Sequence, residues 1–171
     1  MSKRGRLAIA GVVAAASLAG IIVLAVVQFR GSTERAGVHF TTTATAAEPF
    51  QGFGEARVAV GDGCLRVLVA STEQQRAQGL RGVRGLGPYA GMLFVFPSST
   101  DARFTMAQTP LPLDIGWYAS DGAAVDHTRM TPCPNGTDAT CPAYASRRRY
   151  RYALERRAGQ LGSDALSACA T

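Results

Sequence analysis

The stretch from Gly91 to Met130, GMLFVFPSSTDARFTMAQTPLPLDIGWYASDGAAVDHTRM, constrains the fold of this chain more than any other. Met92-Leu93-Phe94-Val95-Phe96 is an unbroken apolar run bounded by Gly91 and Pro97. A run this short, with breakers at both ends, suits a strand buried on both faces better than a helix. Leu113 to Tyr118 is a second run, and Asp121-Gly122 follows it. Glycine tolerates the positive φ of a type I′ turn, so the dipeptide predicts a hairpin with Ala123 to Met130 returning. Pro110 and Pro112 remove two backbone donors, so Thr109 to Pro112 is expected at a sheet edge or in a loop.

The flanking sequence extends this β pattern. Arg57 to Val60 and Leu65 to Ala70 read as strands, with Gly61-Asp62-Gly63 turning between them. Thr72 to Gln75 fits a capping box, so a short helix is expected to start after Thr72 and stop near Gly79. Gly82, Gly85, Gly87, Pro88 and Gly91 make the next segment a loop. Tyr150, Tyr152 and Leu154 fall on one side of a strand at period two, and Arg149, Arg151 and Glu155 on the other. That alternation predicts an amphipathic strand.

Charge and hydropathy divide the chain before the β region starts. Residues 1–6 form a basic flank with Lys3, Arg4 and Arg6. Leu7 to Phe29 carries no charge over 23 residues. As a helix it would span roughly 34 Å, against a hydrocarbon core of about 30 Å. It is longer than the roughly 7–15 apolar residues of a signal peptide. The expectation is an uncleaved single-pass anchor with the basic end cytoplasmic and the rest outside. Secretion after signal cleavage is the alternative, and Ala44-Thr45-Ala46 is the one sequence resembling a cleavage site. Residues 30–48 are a Thr/Ala-rich linker, and residues 49–171 are the globular part. The net charge is +6, but from Glu48 onward 13 Arg face 11 Asp and Glu. The basic character belongs mostly to the N-terminal flank, so no nucleic-acid partner is expected.

An ordered set of short motifs points to a family. GMLFVF is followed by Phe104-x-Met106-x-x-Thr109, Pro112-Leu113-Asp114-Ile115, Asp121-Gly122, Met130-x-Pro132-Cys133, Cys141-Pro142 and Tyr152-Ala153-Leu154-Glu155. Thr72, Gln75-Arg76 and Gly79-Leu80 lie upstream. Together they resemble the domain-of-unknown-function 192 family, over about Ala56 to Gly159. The resemblance implies a compact β-rich domain with a short helix and brings no established activity. The family pattern F-W-M-K-N-T stands here as Phe104-Thr105-Met106-Ala107-Gln108-Thr109. Chemistry that depends on the Trp, Lys or Asn would be altered or lost. The fold class expected is mainly β, a small barrel-like or sandwich domain with one or two short helices, preceded by a transmembrane helix.

Candidate functional residues are few. Asp114 sits among apolar neighbours, and a buried carboxylate must be paired or hydrogen-bonded. Arg76 is its expected partner, at ion-pair distance. Arg76, Phe104, Met106, Gln108 and Asp114 are therefore the candidate binding residues. Two function classes stay open: a non-catalytic binding or accessory module for an unknown ligand or protein partner, and a small enzyme using Asp114 with Arg76 in a cleft. A thiol oxidoreductase is a third, weaker reading. The chain has no G-x-S-x-G, no H-E-x-x-H and no P-loop, so no catalytic residue is assigned. Asp126-His127 is a poor acid–base pair, because adjacent strand residues point to opposite faces. Cys133 and Cys141 bracket a Pro/Gly loop without C-x-x-C spacing or an intervening His. A disulfide is expected there rather than a metal site, and no cofactor is expected. Cys64 and Cys169 remain as a second pair, which would pin a tail whose only large apolar residues are Leu161 and Leu166.

Overall fold

Met92 to Phe96 forms the middle of the sheet, as its unbroken apolar character requires. The computed structural model describes residues 37–40 and 42–169; the expected anchor at Leu7 to Phe29 lies outside them. The described residues form ten strands and one helix, in order: β1 (Ala44–Thr45), β2 (Gly54–Val60), β3 (Gly63–Ala70), α1 (Glu73–Gln78), β4 (Gly91–Thr100), β5 (Phe104–Thr105), β6 (Leu113–Tyr118), β7 (Ala124–Met130), β8 (Ala143–Tyr144), β9 (Tyr150–Arg157) and β10 (Leu166–Ala168). The main sheet runs β1-β2-β3-β4-β9-β6-β7, with β10 also beside β2. Among these strands only β3 and β4 pair in parallel, and the crossover between them contains α1. A second ribbon pairs β5 with β8.

The main sheet does not close into a barrel, which corrects the barrel expectation. Its two ends are β7 on one side and β1 with β10 on the other, and these do not pair. The interior strands are apolar on both faces because both faces are covered. Leu68, Met92, Phe94, Ile115 and Trp117 enter one core layer. Val67, Val69, Leu93, Tyr152 and Leu154 enter the other. Each fully buried aliphatic or aromatic side chain of this kind contributes about 1.5–3 kcal/mol.

Three local features set the register. Thr72 accepts from the Gln75 backbone N–H at 3.2 Å, and the Gln75 side chain accepts from the Thr72 N–H at 3.0 Å. The expected capping box is present, and Gly79 ends the helix. Pro97 does not end β4, because the strand bulges there: Val95 faces Tyr152, yet Thr100 is already opposite Tyr150. A proline is tolerated in a strand at such an irregularity. The hairpin after β6 forms, but not with a two-residue type I′ turn. Gly122 has φ 79°, whereas Asp121 is not in the left-handed region, and its carboxylate accepts from the Ala123 N–H at 3.1 Å. A Cβ on Gly122 would collide with the Leu166 carbonyl oxygen, so the turn seats β10 as well.

Both expected disulfides are present. Cys64–Cys169 joins the start of β3 to the tail after β10 across 105 residues. Cys133–Cys141 closes a loop across 8 residues. Among the described residues no helix is long and apolar enough to cross a membrane.

Candidate functional site

α1 has no buried residue of its own, and its Arg76 reaches the β4 backbone at Val95. Between it, β4 and β5 lies a cavity of about 640 Å³. Phe94, Phe96 and Phe104 line it from the sheet and from β5, and Arg76, Arg81 and Arg103 line it from the helix side and the loops. Phe104 is the pivot of the aromatic wall. Its ring lies 5.0 Å from that of Phe94 and 6.4 Å from those of Phe96, Trp117 and Tyr150. T-shaped contacts at such distances fix ring orientation as well as excluding water.

Two of the arginines are held by backbone carbonyls. Arg76 donates through Nη1 to Ser71 O at 2.5 Å and to Val95 O at 2.9 Å, and its guanidinium lies 5.0 Å from the Phe96 ring centre. Arg81 donates to Ala77 O at 3.1 Å, to Ala107 O at 3.3 Å and to the Asp138 carboxylate at 2.6 Å. Asp138 also accepts from the Thr105 hydroxyl at 2.6 Å. That hydroxyl and then the Arg81 guanidinium hold its carboxyl below the usual range. The Cys133–Cys141 loop carries Asp138 to this position, so the disulfide supports one edge of the cavity. Thr105 stands where the family pattern has its bulky aromatic, and here it lines the cavity.

Glu155 is the residue that sequence reasoning misplaced. It was expected on a polar strand face with Arg149 and Arg151. Instead it lines the cavity and is 4% exposed. Core side chains pack on both faces of β9, with Ala153 in one layer and Tyr152 and Leu154 in the other, and the amphipathic reading fails for that reason. Its register partners are Met92 and Ile115, both apolar. Among the described residues no protein group donates a hydrogen bond to its carboxyl, and burial pushes its pKa up to about 8.

The expected Arg76–Asp114 pair does not form. Asp114 is buried, as expected, but accepts from Arg129 Nε at 3.1 Å and from the Gly159 N–H at 2.5 Å. Arg129 is its cross-strand partner in the β6–β7 hairpin. Pairing outward from Asp121-Gly122 already puts Arg129 opposite Asp114, so the sequence held that signal. Arg76 and Phe104 share the cavity; Asp114 does not line it. Met106 is 1% exposed and belongs to the core. Gln108 is exposed, at φ 57°, in a turn whose backbone bonds to Cys133 O and accepts from Gly82 N. Asp126 is taken by Arg147, with contacts at 2.9 and 3.0 Å that hold its carboxyl down at about 2, and His127 is exposed. Among the described residues no three His, Cys, Asp or Glu side chains gather as a metal site.

The profile of the DUF192 family, described as uncharacterised ACR, matches residues 56–168. A solved structure from Sinorhizobium meliloti 1021, named as a candidate transcription regulator, is 30% identical with a TM-score of 0.55, covering 65% of this chain and 89% of its own. A protein of unknown function from Novosphingobium aromaticivorans is 23% identical with a TM-score of 0.60, covering 80% of this chain and 99% of its own. At that identity the second likeness is one of fold. No curated protein matches the chain.

Proposed function

The chain belongs to the DUF192 family, and from that premise we propose that its globular part is a non-catalytic module that binds a small molecule outside the cytoplasm, tethered by Leu7 to Phe29. The observation that carries this reading is the cavity itself, with three phenylalanines, guanidinium groups and a buried acid facing one space. Apolar walls with a few polar groups are the usual make-up of a small-molecule site. Two disulfides fit an oxidising compartment. The charge-free span supports the tether. Asp114 is engaged by Arg129 and by the Gly159 backbone, away from Arg76, so the paired-residue enzyme has no support. The regulatory name of the Sinorhizobium protein is compatible with a module that senses a ligand. DNA contact is not part of the proposal, because the globular part is close to charge balance.

The test is a ligand pull-down read by mass spectrometry, using the full-length chain in mild detergent beside an Ala77→Trp variant. Ala77 is exposed on α1 and lines the cavity, so the indole would fill its mouth. Small molecules retained by the native chain and lost from the variant are expected. Nothing retained, or equal retention by both, contradicts the reading.

A further inference from the structure

Resting on the binding reading, we propose that the cavity takes a small zwitterionic amine with an apolar body, its ammonium against Glu155 at the floor and its acidic group against the arginines at the mouth. Asp114 and Glu155 are the two buried carboxyl groups among the described residues. Asp114 is met by a guanidinium and a backbone N–H. Among the described residues Glu155 is met by no donor, and it faces the open volume. A buried acid needs a donor or a counter-charge, and an ammonium offers three N–H groups and the charge together. Phe94 and Phe104 line the same space, and aromatic faces attract cations.

The other end of the ligand follows from the mouth. Arg103 is exposed and has no described hydrogen-bond partner, and Arg76 makes both of its bonds through Nη1 alone. Arg81 is spent on two carbonyls and Asp138. Free guanidinium donors at a rim suit a carboxylate or similar acid. A ligand with only an acid leaves Glu155 unanswered, and one with only an amine meets the arginines unaided. An apolar body carried beside the two charges fits the phenylalanine wall.

Proton linkage gives the proposal a signature. The charged groups facing the cavity are Glu73 and Arg76 on α1, Arg81 and Arg103 on the loops, and Asp138 on the disulfide loop. The strands flanking β9 present apolar Met92 and Ile115 to Glu155. At neutral pH the floor acid is mostly protonated, its pKa pushed up to about 8 by burial. Binding an ammonium expels that proton, so apparent affinity should rise by up to about tenfold per pH unit below 8.

The probes are phenylalanine, phenethylamine and 3-phenylpropionate, titrated into the full-length chain by calorimetry between pH 6 and 8. Phenylalanine should bind at least tenfold more tightly than either partial analogue, with affinity rising with pH. Glu155→Gln should remove the pH dependence and the advantage over phenylpropionate. Arg103→Gln should lower affinity for phenylalanine toward that for phenethylamine while keeping the pH dependence. Phenylpropionate binding equally well, or affinity falling with pH, overturns the proposal. So does failure of all three probes while the pull-down retains other compounds, an outcome that leaves the binding module standing. Failure of the probes together with an empty pull-down overturns both.

Discussion

Gln108 holds φ at 57°, a region that L-residues other than Asn, Asp and Gly enter at a cost of roughly 1–2 kcal/mol. The backbone has no alternative there, because the Gln108 N–H donates to Cys133 O and its carbonyl accepts from Gly82. Gln108→Asn, the residue type of the family pattern, should therefore raise stability by up to about 1 kcal/mol in a thermal or denaturant melt. An unchanged or lowered midpoint would contradict this. Glu155 also lowers stability, and its cost depends on pH. Its pKa is about 8 in the fold and near 4.5 unfolded, so between those values the native state holds a proton that the unfolded chain has lost. Stability should fall as pH rises from about 4.5 to 8, by up to about 1.4 kcal/mol per unit, and level off above. Denaturant midpoints at pH 5 and pH 8 should show Glu155→Gln gaining on the native chain as pH rises; parallel curves would count against a buried, unpaired acid. Neither property was legible in sequence. Period-two alternation says which residues share a face, and it cannot say that core layers will cover both faces of β9.

Elements were legible where their determinants are local. The capping box needs only Thr72 to Gln75, and the hairpin needs two apolar runs around Asp121-Gly122. The bulge at Pro97 and the β5–β8 ribbon depend on partners far along the chain, which no local pattern specifies. The two disulfides act on different elements. Cys133–Cys141 closes a short loop and holds Asp138 at the cavity, for about 2.6 kcal/mol by loop-closure entropy. Cys64–Cys169 closes a loop across 105 residues for about 4.8 kcal/mol and keeps β10 against β2. Replacing both Cys64 and Cys169 with serine should cost more stability than replacing Cys133 and Cys141. Hydrogen exchange should also show β10 losing protection first. The reverse order of stability losses would refute this ranking.

At the scale of the whole molecule, a basic flank and charge-free span precede a nearly charge-balanced β domain with two disulfides. Protease added to intact cells should degrade the domain and spare the N-terminus. Full protection, or a mature protein starting near Ala47, would contradict a tethered domain outside the cytoplasm. The role proposed for that domain depends on one arrangement, an aromatic cavity with an uncompensated acid at its floor. The sequence supplied Arg76 and Phe104 of that arrangement and missed Glu155, Arg103 and Asp138, which the strand order and the disulfide loop bring in. The most direct measurement is a carbon-detected NMR titration of the Glu155 carboxyl in the ligand-free protein. A midpoint near about 8 is expected. A midpoint in the ordinary range of about 4.3 would mean that the acid is solvated or paired, and the cavity would lose the uncompensated group that its proposed role requires.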